Sequence, residues 1–292
     1  MSNIIYAPKS WNPISGCSPV SEGCANCWAK AMARRQRQEW GTVHLHEKRL
    51  EQPLHWRKPR TVAVAFMGDL FHDQVPDDFI DKVFAVMALT PQHTYLLLTK
   101  RPERMWAYLT TGKPHQRIAN QGFGINRYSS YAAEVTQRER WPLPNVFLGV
   151  SCENQARADE CIPLLLETPA AHRWVSLEPL LGAISLSLDG TAPGGRYEPV
   201  GDRLDWCVVG GESGPKARPC DLGWIRDINR QCEAAGVKRY IKQLGAKPIG
   251  EWSDPWGNPS FVGHWRLCDR KGENPDEWPP DLRVREMPEV TR

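Results

Sequence analysis

The sequence predicts an α/β fold, a partial (β/α)6 barrel of the TIM type with parallel strands, and three observations carry that prediction. Near-continuous apolar runs recur along the chain and alternate with stretches of helical period, the pattern of a parallel sheet covered by helices. Each run ends in polar or charged residues, and in a barrel such ends converge on one mouth, where active sites lie. The length, 292 residues, is compatible with a single barrel.

A seventh strand or a turn precedes Trp11, ahead of six main runs. The first run, TVAVAFMGDLF (61–71), is β-branched and apolar and closes on Gly68-Asp69. After it, Phe79, Ile80, Val83, Phe84 and Met87 recur at helical spacing within 77–90. The second, HTYLLLTKRPERM (93–105), has its polar tip at Thr99-Lys100-Arg101 and then enters a helix. The third, NVFLGVSCENQ (145–155), precedes a helical stretch from Ala156 to Leu166. The fourth, HRWVSLEPLLG (172–182), ends at Glu178. The fifth, LDWCVVGGESG (204–214), ends at Gly210-Gly211-Glu212, before a helix over roughly 222–235. The last, KRYIKQLG (238–245), carries Lys242 near its end.

Residues 1–245 are thus expected to form the barrel, with two insertions. One, 110–144, is polar and rich in Gly, Arg and Tyr, long enough for a lid or a binding loop. The other, 185–203, is rich in Gly and Pro. Residues 246–292, with Trp252, Trp256, Trp265 and Trp278 among many prolines, are expected to be an irregular C-terminal wrap packed on the barrel.

Composition narrows the function classes. At 41% hydrophobic and 24% charged, the chain is ordinary for a globular protein, which excludes wholesale disorder. No apolar run approaches the ~18 residues that span a bilayer, so no membrane is expected as a partner. The start, MSNIIYAPKSWNP, lacks the basic and apolar regions of a secretory signal. Nine cysteines, an odd number, cannot all pair within one chain, and a reducing cytoplasm is the expected compartment. The net charge of +3 tolerates a nucleic-acid partner without demanding one. There is no Walker loop, dinucleotide fingerprint or Ser-His-Asp arrangement.

Three cysteines, Cys17, Cys24 and Cys27, lie within eleven residues in the spacing C-x6-C-x2-C, with Gly16 and Gly23 just before two of them. Three thiolates are one short of a closed tetrahedral zinc site. They suffice for three irons of a [4Fe–4S] cluster and leave the fourth iron open to a small ligand such as S-adenosylmethionine. Zinc completed by His44, His46, His72 or a fourth cysteine is an alternative, and unliganded thiols are another. The strand tips Asp69, Lys100, Ser151, Glu153, Glu178, Glu212 and Lys242 would share a mouth with this triplet, except where they only cap helices or face solvent.

The motifs WNPISGC…GCANCWA, MGDLFH (67–72), LTKRPERM (98–105), FLGVSCENQ (147–155), SLEPLLG (176–182), VVGGESG (208–214) and IKQLG (241–245) occur in that order over nearly the whole chain. Together they resemble a phage and prophage protein family of largely unassigned function. That family looks like a divergent branch of the radical S-adenosylmethionine superfamily, whose members share a partial (β/α)6 barrel. The resemblance implies that Cys17, Cys24 and Cys27 bind the cluster. It implies that Gly68 and Asp69, at the place of the superfamily's Gly-Gly-Glu turn, contact the amino group of S-adenosylmethionine. Ser151, Glu153, Glu178 and Glu212 stand at later strand ends, where contacts to the cofactor's ribose and to substrate would lie. The first cysteine gap is three residues longer than the superfamily's C-x3-C-x2-C, and Asn26 stands before the last cysteine where an aromatic residue is usual.

The chemistry so implied is radical chemistry. A reduced cluster passes one electron to bound S-adenosylmethionine, and the 5′-deoxyadenosyl radical that results abstracts a substrate hydrogen. An electron donor of flavodoxin or ferredoxin type would supply the electron. Lys100, Arg101, Glu178, Glu212 and Lys242 would bind substrate. Cys152 would be either a hydrogen-atom donor to a product radical or a packed core thiol. Cys161, Cys207 and Cys232, in apolar contexts, read as core thiols. The implied setting, a phage or prophage protein in a bacterial cytoplasm, suggests a nucleotide or DNA substrate, such as a thymine derivative or a damaged base. Arg34, Arg35, Arg37, Lys48, Arg49, Arg57, Lys58 and Arg60, near Trp40 and Trp56, suit phosphates and stacked bases, or equally a solvated face. Two other readings stay open: a zinc-stapled nucleic-acid-binding protein, and a degenerate barrel whose cluster is structural.

Overall fold

The computed structural model describes residues 4–124, 141–188, 204–252, 261–264 and 266–289. Seven strands form one curled sheet: β1 (Lys9–Trp11), β2 (Thr61–Val64), β3 (Thr94–Thr99), β4 (Val146–Ser151), β5 (His172–Leu177), β6 (Trp206–Gly210) and β7 (Lys238–Gln243). They lie side by side in that order, and every neighbouring pair is parallel. Helices α1 (Trp28–Arg35), α2 (Asp77–Ala88), α3 (Pro102–Thr110), α4 (Pro114–Gly124), α5 (Gln155–Glu167) and α6 (Leu222–Ala234) flank the sheet. The result is a parallel half-barrel, with the extra strand β1 before Trp11.

The strands are shorter than the apolar runs read from the sequence. β2 stops at Val64, since Ala65 turns the chain at φ +60°. That conformation costs an L-residue about 1–2 kcal/mol and marks the entry to the Gly68-Asp69 tip.

The pleat sorts the side chains into two cores. Val146, Leu148, Val150 and Cys152 face outward and pack with the helices. Phe147 points the other way, into the curl, with Trp174, Trp206, Val208 and Tyr240. The N-terminal segment fills the curl from below. Tyr6 is buried there with its ring 5.2 Å from that of Trp206, and Trp174 and Trp206 lie 5.4 Å apart. Each ring so buried contributes on the order of 2–3 kcal/mol, so the interior is a packed aromatic floor.

Two expectations change. Within the 110–144 insertion, residues 114–124 are α4, which packs on α2 with Ile118 buried and Arg117 paired to Asp81 at 3.4 Å. This part is an outer-layer helix instead of a lid; residues 125–140 lie outside the described residues, as do 189–203 of the second insertion. The C-terminal wrap is more regular than its prolines suggest. Pro248–Trp252 pairs antiparallel with Phe261–His264 and parallel with Cys220–Asp221, forming a small second sheet. Trp278 is fully buried, its indole N–H donating to Gly272 O at 3.0 Å. Trp256 and Trp265 lie outside the described residues. No described helix is long and apolar enough to cross a membrane.

Candidate functional site

The cysteine segment runs from a short strand, Ile14–Ser15, to α1. It lies across the ends of the sheet strands. Gly16 bridges Gly68 in parallel register, and its N–H donates to Met67 O at 3.0 Å. Gly16 has φ +88°, and a Cβ there would stand 1.9 Å from Thr42 O, so only glycine fits. Beyond Gly16, three acid–base pairs from the strand ends hold the loop.

The first pair is Asp69 with Arg101. Asp69 accepts from Thr99 Oγ1 at 2.7 Å, Phe71 N at 3.0 Å, Lys100 N at 3.1 Å and Arg101 Nη1 at 3.1 Å. Arg101 then reaches the loop, with Nη2 donating to Ser18 O at 3.0 Å and Ser18 Oγ at 2.9 Å, and Nη1 at 3.6 Å from Cys17 Sγ. His72 Nδ1 accepts the Gln74 N–H at 3.1 Å, so the proton sits on Nε2, which donates to Ser18 Oγ at 2.8 Å. Burial, helped by Arg101, holds the His72 imidazole below its ordinary pKa, so it props the loop as a neutral group.

The second pair is Lys100 with Glu153, whose carboxylate is fully buried. Glu153 Oε1 also accepts the Gly23 N–H at 3.2 Å, and the neighbouring Asn154 side chain donates to Glu22. Burial alone would raise the Glu153 carboxyl. Lys100, Ser21 and the Gly23 amide more than offset it and hold the group below its usual range.

The third pair is Glu212 with Arg218, a two-pronged contact with Nε to Oε2 at 3.0 Å and Nη2 to Oε1 at 2.7 Å. Asn26 Nδ2 donates to the same carboxylate at 3.0 Å, and Arg218 Nη1 donates to Glu22 O at 3.1 Å. Here too burial pushes the carboxyl up, and the Arg218 and Asn26 hydrogen bonds bring it below its ordinary value.

A fourth pair stands apart. Lys242 Nζ lies 2.8 Å from Glu178 Oε1, and Ser176 Oγ donates to Glu178 Oε2 at 3.1 Å. Burial, followed by the nearby Glu178 carboxylate, raises the pKa of the Tyr6 phenol well above the ordinary value. Among the described residues, these partners come from inside the curl and none from the cysteine loop. The pair sits directly on the aromatic floor, with Lys242 Nζ 5.9 Å from the Tyr6 ring centre.

The sequence-derived site residues therefore divide. Gly68, Asp69, Lys100, Arg101, Glu153 and Glu212 gather around the cysteine loop. Glu178 and Lys242 form the inner pair, and Ser151 Oγ supports it by donating to Glu178 O at 3.2 Å. Cys152 does not join them. Strand alternation turns it to the helix side of the sheet, fully buried and in contact with Cys161. Ser18, Asn26, Arg218 and Tyr6 are site residues that sequence reasoning missed. Arg218 follows Glu212 by six residues in a Gly/Pro turn, where no period marks it.

Cys17, Cys24 and Cys27 are free and half-buried. Cys17 Sγ faces Ser18 O at 3.4 Å, and Cys24 Sγ lies 3.9 Å from Ser21 Oγ. Among the described residues, no three His, Cys, Asp or Glu side chains are grouped as metal ligands. His46 is engaged with Ser15 Oγ at 2.8 Å. The donor set nevertheless suits a soft centre, since three thiols lie on one loop. Ligation would require the thiols to turn from their present partners toward one point. Burial, followed by the Asp69 carboxylate, pushes the Cys17 thiol up to about 11 against the pull of Arg101, so binding a cation there would release a proton.

Residues 1–265 match the model of a family described as "Protein of unknown function (DUF5131)", and the chain belongs to that family. No curated protein and no solved structure matches it.

Proposed function

We propose that the chain is a radical S-adenosylmethionine enzyme that acts on a nucleotide or nucleobase, with Cys17, Cys24 and Cys27 holding a [4Fe–4S] cluster. The observation that carries this proposal is the placement of a three-thiol loop over the C-terminal mouth of a parallel half-barrel, pinned by charged residues from four strand ends. When bound, the cluster supplies one-electron reduction of S-adenosylmethionine, and a flavodoxin- or ferredoxin-type partner would deliver the electron.

This chain's residues do the positioning. Asp69 already accepts four hydrogen bonds, about the capacity of a carboxylate, so its part is to orient Arg101 and the strand tip. Arg101 fixes Ser18 and points a donor at the Cys17 sulfur. Glu153 and Glu212 hold the loop through Gly23 and Asn26. Glu178, Lys242 and Tyr6 are left facing the interior and are the groups suited to orient a substrate, with a protonated phenol, a carboxylate and an ammonium in one cluster. The aromatic floor excludes water from below.

A second reading, a barrel that keeps the loop for structure alone, draws on the same ion pairs, since they dock the loop with protein contacts only. The two part on one experiment. Anaerobically reduced protein is incubated with S-adenosylmethionine, alone and with nucleosides or DNA, and 5′-deoxyadenosine is counted. The proposal expects 5′-deoxyadenosine above the level of a Cys27→Ala variant, and more of it with substrate. Iron-loaded protein that forms none would overturn it.

A further inference from the structure

We infer that α1 and the turn after it form a contact surface for single-stranded nucleic acid at the rim of the mouth. The inference rests on the proposed nucleobase chemistry only in taking the base to be held in a strand.

The basic stretch seen in the sequence divides between two ends of the molecule. Arg57, Lys58 and Arg60 precede β2, and Arg60 O accepts from Thr94 N at the start of β3, so they lie at the N-terminal ends of the strands, away from the mouth. Lys30, Arg34, Arg35 and Arg37 instead follow Cys27 directly, and all four are exposed. Residues 28–38 contain no acid. Among the described residues, none of the four cations has an ion-pair partner.

Intramolecular physics explains only part of this. Ala29 and Ala33 bury one side of α1, which accounts for the helix itself. Arg34 and Arg35 sit in its last turn, where the helix dipole favours cations. Lys30 is in the first turn, where the dipole opposes a positive charge and no acid compensates. Lys30 and Arg34 are also i, i+4 neighbours, so like charges share one face of the helix. Arg37 occupies φ +54° at the helix end, a place usually taken by Gly or Asn. A row of unpaired cations kept against these local costs is the electrostatic footprint of an external polyanion.

Geometry and aromatics narrow the polyanion. The helix rises about 12 Å, enough to meet roughly three consecutive phosphates at ~3.4 Å spacing or two in a more extended strand. Trp28, next to Cys27, is 42% exposed and offers a ring face on which an unstacked base can lie. A duplex would keep that base in its own stack.

The test uses the full-length protein and a fluorescein-labelled 12-nucleotide DNA strand, with anisotropy read at several salt concentrations. Lys30→Glu with Arg34→Glu is expected to weaken binding at least ~10-fold and to flatten the slope of log affinity against log salt by about 1.4, or ~0.7 per phosphate contact. Arg57→Glu with Lys58→Glu makes the same change in net charge at the far end and is expected to stay within about threefold. Trp28→Ala is expected to cost ~10-fold. Circular dichroism confirms that the variants fold. No binding by the unaltered protein at ~50 mM salt, or equal losses from the two charge-reversed pairs, would overturn the inference. The assay needs neither cluster nor S-adenosylmethionine, so absence of the cluster leaves it standing, while loss of DNA binding with an active cluster sinks it alone.

Discussion

Removing the Glu212 carboxylate should release the cysteine loop, and the size of the effect follows from the contacts. Glu212→Ala takes the acceptor from Arg218 Nε and Nη2, from the Arg218 N–H at 2.8 Å, and from Asn26 Nδ2. Hydrogen bonds to charged groups contribute about 1.5–3 kcal/mol each before compensation. Breaking a buried ion pair costs about 3–5 kcal/mol. The Arg218 side chain is 30% exposed, so water recovers part of that. The expected net loss is about 2–4 kcal/mol. For a chain of this size, at ~2 °C per kcal/mol, the Tm should fall by about 4–8 °C. The local effect should be larger than the global one, because the loop's third anchor is gone. Alkylation of Cys24 and Cys27 in the metal-free protein should speed up several-fold. The double variant with Arg218→Ala should cost less than the sum of the two single changes, since each removes the same contact. An unchanged Tm together with unchanged alkylation rates would refute the view that Glu212 is a clamp.

Other consequences are as direct. The Glu153 and Glu212 carboxyls both lie below their ordinary pKa in the folded chain. Their contribution is therefore present above the unfolded value near ~4.3 and is lost as pH falls through the folded values; Tm should drop on acidification below about pH 4.3, and a profile that stays flat to pH 3 would contradict the pairing. Gly16→Ala, with φ +88° and a Cβ 1.9 Å from Thr42 O, should cost at least ~3 kcal/mol and expose the Gly68 region to hydrogen exchange, whereas a neutral outcome would mean the loop docks elsewhere. Tyr6→Phe removes only the buried hydroxyl near the Glu178 carboxylate and should cost about 1–2 kcal/mol by chemical denaturation, with no loss refuting a favourable interaction there.

The strand ends were legible because a polar tip closes each apolar run: Asp69, Lys100, Glu153, Glu178, Glu212 and Lys242 all fall on the mouth side. Register within a strand was legible in principle, since period 2 puts Ser151 opposite in sense to Cys152. The partners were not legible, because they pair across distances that carry no local pattern. Gly23 meets Glu153 over 130 positions, and Asn26 meets Glu212 over 186. Tyr6 sits in a segment too short to show a period, and its burial depends on the curl of a sheet whose other six strands lie after residue 60. The strands Pro248–Trp252 and Phe261–His264 hide among prolines because they lie at the margin of the fold, pairing, among the described residues, with only Cys220–Asp221 beyond each other.

The most direct test of the central proposal is a metal count on anaerobically reconstituted protein, joined to the EPR spectrum of the reduced form with and without S-adenosylmethionine. The expected result is about four irons per chain, lost in Cys24→Ala, and a spectrum that shifts when S-adenosylmethionine binds, as an open iron requires. Stoichiometric zinc without iron, or an iron signal indifferent to S-adenosylmethionine, would contradict it.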